Sequence, residues 1–294
     1  MRATRATALV SHASTPIAQG IARAVVSRLY WLPLVVLTLW SVLPIVWSVS
    51  ASLKDPIEIY QTPYLIPAQP TLDNYVRVFN YPNFGRYLFN SGFLAVTSTL
   101  LALVVSSLGA YAFARYAFRW RNLLLIAILI PRILPRASLI VPLYQLMDSV
   151  GLLNTYTALI LTYTATAVPF STWILAGFFA AVPRELEEAA ATDGATLWQR
   201  IWYVILPISI PGLLTVAVFS LREAWNEFPF VLALTTSADL RTLPYQLFLL
   251  RESTGVQDWP LMNAFTIITI LPILLLYLRF ERHVVSGITR GALK

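Results

Sequence analysis

Glu223 and Glu227 stand four residues apart in a largely apolar stretch, and Arg132 and Arg136 repeat that spacing in an earlier one. On a helix, residues four apart share a face. The two carboxylates are the single pair here that a membrane-embedded general acid–base centre would use. A charged group at membrane depth costs about 2.5–3.5 kcal/mol on insertion scales unless it is paired or faces an aqueous cavity. The four are therefore expected to face the interior of a helix bundle, with Arg132 or Arg136 paired to Glu223 or Glu227. Asn226 would share the face of Glu223 and Glu227 if their helix runs on to Leu234. Two roles stay open for this set, a structural ion pair or a polar lining for a solute path, and Trp225 is kept as a candidate stacking platform.

Other chemistry is missing. The chain has no cysteine, which excludes disulfides, thiolate metal sites and cysteine nucleophiles. Its two histidines, His12 and His283, lie near opposite ends. No glycine-rich phosphate loop precedes either lysine, Lys54 or Lys294. No catalytic residue and no metal site is expected in this chain.

The elements that must position the charges are transmembrane helices. Apolar residues make up 57% of the 294 residues and charged residues 12%, a balance suited to lipid rather than water. Six apolar runs are each long enough to cross a core that takes about 20 helical residues. They are approximately Leu29–Ser50, Tyr87–Tyr111, Leu123–Met147, Thr157–Phe179, Ile208–Leu234 and Leu261–Leu278. Such runs are too long for barrel strands, so an all-α membrane fold is expected. Thirteen Lys and Arg residues fall in the two tails, the second-to-third connection and the segment after the fourth span, against five firmly on the other side. The positive-inside rule then places both termini in the cytoplasm. The net charge of +7 reads as topology, and no nucleic-acid partner is expected. Tyr30, Trp31, Tyr116, Trp120, Trp198 and Trp202 read as headgroup anchors or packing residues.

Between the fourth and fifth spans lies a hydrophilic acidic segment, PRELEEAAATDGATLWQRIWYVILPISIP, residues 183–211. Pro183 suits a helix start, and Glu185, Glu187 and Glu188 complement the positive end of its dipole. Ala189, Ala190 and Ala191 favour helix with little bulk. Gly194 reads as the stop, since a left-handed residue past a helix end is cheapest as glycine. Thr196 with Gln199 matches a capping box for a second helix through Arg200. The result is a helix–turn–helix lever fit to lie in a groove of a partner.

Glu188-Ala189-Ala190, Asp193-Gly194-Ala195 and Leu206-Pro207 resemble the EAA loop of binding-protein-dependent ABC importer permeases. Asn74-Tyr75, Phe89-Asn90-Ser91, Pro142-Leu143-Tyr144, Gly151 to Thr155, Ala224 to Phe228 and the tail Gly287 to Ala292 resemble the carbohydrate-importer branch, MalG-like subunits above all. That resemblance implies the type I importer permease fold, with residues 1–28 as a cytoplasmic tail, 29–280 as the six-helix domain containing a coupling segment at 183–207, and 281–294 as a second cytoplasmic tail. It implies a non-catalytic permease subunit in the cell membrane that imports a sugar, a di- or oligosaccharide, by alternating access. The implied partners are a second homologous permease, two copies of an ATP-binding subunit that hold ATP and Mg, an extracytoplasmic sugar-binding protein, and membrane lipid. It makes Glu185, Glu188, Ala189, Ala190, Asp193, Gly194 and Arg200 the ATPase-coupling residues. Arg132, Arg136, Glu223, Trp225, Asn226 and Glu227 become translocation-path candidates. A permease for a polyol or glycerol phosphate would share every one of these motifs. A stand-alone carrier or a membrane enzyme would leave the EAA-like segment unexplained.

Overall fold

The computed structural model describes residues 31–61, 64–252 and 257–292, with side chains up to residue 281. The expected tail at 1–28 lies outside the described residues. Every extended element among them is helical. Among the described residues four helices are long and apolar enough to cross a membrane, or up to six if each of two bent pairs is counted as one span. We label the main helices α1 (Trp31–Ser52), α2 (Asp73–Phe79), α3 (Phe84–Arg115), α4 (Arg121–Ala127), α5 (Arg136–Ser149), α6 (Tyr156–Ala180), α7 (Arg184–Thr192), α8 (Leu197–Arg200), α9 (Ile210–Trp225), α10 (Pro229–Leu234), α11 (Leu243–Glu252) and α12 (Trp259–Ala292).

Uninterrupted apolar runs give the helices the sequence leads one to expect, within a few residues. Two spans differ from expectation, and proline is the reason. The third is broken, with a 97° bend between Arg121–Ile133 and Arg136–Ser149. Pro135 has no N–H to donate and forces Leu134 into an extended conformation at ψ 136°, so the helix cannot run through. The fifth stops at Trp225 instead of reaching Leu234, and restarts at Pro229, whose fixed φ suits a first helical position. The last helix continues to Ala292, so the expected tail at 281–294 begins as an extension of the sixth span.

The centre of the bundle is the α3–α6 pair, with α9 packed against both. Small residues let the backbones approach, as at helix interfaces in lipid. On α3 the buried positions include Ala95, Ser98, Ala102, Ser106 and Ala110. A Cβ on Gly212 of α9 would lie 2.5 Å from the Phe178 ring of α6, so only glycine fits that crossing. By contrast, α1 has α12 as its main neighbour and leaves its apolar side chains outside, Trp40 at 79% exposure.

Asparagines tie the loops at the end of the bundle that carries residues 64–86 and 235–252. Asn74 Nδ2 donates to the carbonyls of Ser52 and Lys54, and Asn90 Nδ2 to those of Asp239 and Arg241, all within 2.8–2.9 Å. The Tyr156 hydroxyl donates to Asn90 Oδ1 at 2.6 Å. Asn154, at φ 61°, accepts from the Thr236 and Ser237 amides. These residues belong to the motifs singled out from sequence, and their work here is to hold backbone.

Candidate functional site

The acidic segment folds as its local signals require. Pro183 precedes α7, and the helix closes with the Gly194 amide donating to Ala191 O and the Ala195 amide to Ala190 O while Gly194 sits at φ 85°. This is the paired 5→2 and 6→1 closure that uses up orphan carbonyls at a helix end. Thr196 and Gln199 form the expected reciprocal capping box for α8. Beyond Arg200 the chain widens into a π turn, Ile201–Ile205, ahead of Pro207, whose ring would crowd the carbonyl four residues back in a regular helix. An 80° bend then leads into α9.

One face of α7 is open and the other is locked down. Glu185, Glu188, Ala189, Asp193 and Gly194 are exposed, Ala190 is half-buried, and the apolar Leu186 and Trp198 are exposed among them. Glu187, which sequence reasoning treated as a helix-start charge, is 7% exposed. Its Oε2 accepts from Arg115 Nε at 2.7 Å, and the Tyr111 hydroxyl donates to Oε1. Arg115 also donates to the Val182 carbonyl at 3.1 Å. Arg200, expected to face a partner, turns inward instead, with Nη1 3.9 Å from Glu187 Oε1. A buried carboxylate here is satisfied by a cation and hydrogen bonds together, as burial demands.

At membrane depth the four expected charges meet, although not on two regular helix faces. The bend at Leu134–Pro135 separates Arg132 from α5 and aims both arginines at α9. Arg132 Nη1 donates to Glu223 Oε2 at 3.1 Å, while Arg136 bonds both Glu223 and Glu227. Glu227 is 3% exposed, and its other oxygen accepts from the Phe230 amide at 3.2 Å, so it also caps α10. Asn226, expected beside the carboxylates, lies past the end of α9, exposed, and its side chain donates to the Arg222 carbonyl. Trp225 is 6% exposed, packed against Phe265 and its neighbours, with Nε1 donating to Thr269 O at 3.1 Å. A buried, hydrogen-bonded indole offers no stacking face, so the platform reading of Trp225 fails. Beneath the charges lies a cavity of about 10 Å³ lined by Tyr163, Thr166, Ala167, Ser220, Glu223, Ala224 and Glu227. That is the room of roughly one water.

Residues 102–290 match the family described as the binding-protein-dependent transport system inner membrane component. The chain belongs to that family. Among its relatives, the sulfoquinovosyl glycerol transport permease SmoH of Agrobacterium fabrum is 37% identical over 252 residues, 85% of this chain and 88% of that protein. The trehalose/maltose transport permease MalG of Thermococcus litoralis is also 37% identical, over 85% of this chain and 91% of its own. A crystallised bacterial ABC transporter for import of the acidic polysaccharide alginate has a chain that superposes with TM-score 0.76 at 21% identity, covering 94% of this permease and 99% of that chain.

Two parts of this permease were not legible as functional. The first is the Tyr111–Arg115–Glu187 lock. Adjacent helical residues point about 100° apart, so Glu187 and Glu188 cannot both face outward from the middle of one stripe. That doublet was the available signal. The second is the polar wall of Tyr163, Thr166 and Ser220, for which an apolar-looking span gave none.

Proposed function

We propose that this permease is one half of the translocation pathway of an ATP-driven importer for a di- or oligosaccharide. A second homologous permease would form the other half. Residues 183–207 are the lever on which a separate ATP-binding subunit acts, in the cytoplasm, where the positive-inside count puts them. ATP and Mg belong to that partner, present in two copies, and an extracytoplasmic binding protein delivers the sugar. The supporting observation is the divided surface of α7. Its inward Glu187 fixes the segment to α3, and its outward Glu185, Glu188, Ala189, Asp193 and Gly194, flanked by exposed Leu186 and Trp198, are left for a partner. The names of the two relatives, one for trehalose and maltose and one for sulfoquinovosyl glycerol, support a saccharide cargo. Closing of the ATPase pair would drag the lever and rock this permease against its mate.

The test is affinity isolation of the tagged chain in mild detergent with mass spectrometry of what accompanies it, beside a Gly194→Asp variant. A side chain at φ 85° strains the turn. The wild type is expected to bring a second permease and an ATPase, and the variant to lose the ATPase while keeping the permease. A chain that isolates alone would sink the heteromeric importer. Uptake that persists after ATP depletion would point to a stand-alone carrier, and uptake of a polyol or glycerol phosphate in place of sugars would reassign the cargo.

A further inference from the structure

The face that α6 and α9 turn toward Arg132 carries more than ion pairing requires. Along α6, Tyr163, Thr166, Phe170 and Trp173 recur at three- and four-residue spacing and share one stripe. The Phe170 ring holds the Arg132 guanidinium 4.5 Å from its centroid, stacks on Trp173 at 6.3 Å with 21° between planes, and meets the edge of Phe219 at 5.9 Å. Trp173 is 44% exposed. At the other end of the stripe Tyr163 is 3% exposed, yet its hydroxyl has no partner among the described residues. It lines the same cavity as Thr166, Ser220 and the two glutamates. A buried phenol ordinarily has a hydrogen-bond partner, so this wall is one bond short.

Simple roles do not account for the stripe. Membrane anchors sit at headgroup level, whereas Phe170 lies near the middle of α6 and Trp173 about two turns inside its end. An ion-pair lock needs no exposed aromatic and no unpartnered polar wall beside it. Here the Arg132 and Arg136 side chains remain 34% and 37% exposed while bound to Glu223. Two arginines and two glutamates sum to zero charge, which favours neither an anion nor a cation. A neutral ligand with many hydroxyls and apolar ring faces suits them: guanidinium edges donate, carboxylates accept, and aromatic rings take the C–H face of a sugar ring.

We propose that this chain carries a saccharide subsite of its own, the stripe from Tyr163 to Trp173 with Arg132 and Glu223 beside it. A pyranose ring lies on the exposed Trp173, which Phe170 backs, its hydroxyls bond Arg132 and Glu223, and a further hydroxyl, or the water it displaces, supplies the missing partner of Tyr163. Ten helical residues span about 15 Å, room for a disaccharide. This rests on the importer reading above and adds that the sugar touches this subunit directly.

The absence of cysteine in the chain makes the test direct. Single Thr166→Cys and Trp173→Cys variants, with Val105→Cys on an apolar face of α3 as the dry control, are expressed in the complete transporter. Each is reacted with a charged, membrane-impermeant thiosulfonate, and labelling of this chain is read by mass spectrometry with and without trehalose, maltose or diacetylchitobiose. Thiolates form and react in water, so both stripe positions are expected to label at least about tenfold faster than Val105→Cys. The sugar that the same vesicles import is expected to slow labelling at both. Dry stripe positions, or wet ones that the imported sugar does not protect, overturn the subsite and leave the importer standing. Import of none of the three sugars overturns the saccharide reading itself and removes the subsite with it.

Discussion

Glu187 and Glu188 are neighbours in sequence and opposites in role. Glu188 is exposed, whereas Glu187 is held by Arg115 and Tyr111 in a pocket where both charged side chains are less than a tenth exposed. Removing one partner of a buried pair leaves the other charge uncompensated, at a cost of about 3–5 kcal/mol. Glu187→Gln is therefore expected to release the segment from α3 and open residues 183–209 to limited proteolysis. Glu188→Gln should leave the proteolytic pattern unchanged while reducing the ATPase recovered with the chain. Identical digestion patterns for the two variants would show that Glu187 fixes nothing. The sequence offered Glu187 as a solvated helix-start charge and Arg115 as an orientation charge, because their meeting spans 72 residues and no local pattern encodes it.

Among the elements, the helices legible from sequence are those without an internal break. The expected span Thr157–Phe179 and the observed α6 differ by one residue at each end. Pro169 sits within α6 without ending it, whereas Pro135 and Pro229 mark interruptions, so proline alone did not say which spans would break. The breaks decide the charge geometry, since α5 and α10 start beside Glu223 of α9 and Glu227 in the turn that follows it. That arrangement bears on a charge exchange between α5 and the turn after α9. Arg136→Glu or Glu227→Arg alone should abolish transport, and the double exchange should restore only part of it. An arginine at 227 can re-pair with position 136, but it cannot accept the Phe230 amide, and a glutamate at 136 would face Glu223 in place of an arginine. Full recovery in an uptake assay would mean that Glu227 serves pairing alone.

For the whole molecule, α3 is fastened at both ends. Its 32 residues run about 48 Å at 1.5 Å per residue, and about 38 Å of that separates Asn90 and Ser91, which hold the backbone around Asp239 to Leu243, from Arg115, which holds α7. A movement of residues 183–207, as proposed above, would thereby be carried to the opposite loops through one continuous helix. Asn90→Leu should uncouple the machine: ATPase subunits still isolate with the chain and hydrolyse ATP, but sugar uptake per ATP falls. Unchanged uptake per ATP would rule out α3 as the transmitting rod. The first helix lies outside this frame, and its position has a consequence for biogenesis. The main neighbour of α1 is α12, which begins more than two hundred residues later. At about 5–20 residues per second, synthesis from Ser52 to Trp259 takes roughly 10–40 s, during which α1 waits in the bilayer without its partner. Pairing of α1 therefore waits on residues made some two hundred positions later, and a ribosome stalled before Trp259 leaves an orphan span for membrane quality control to find.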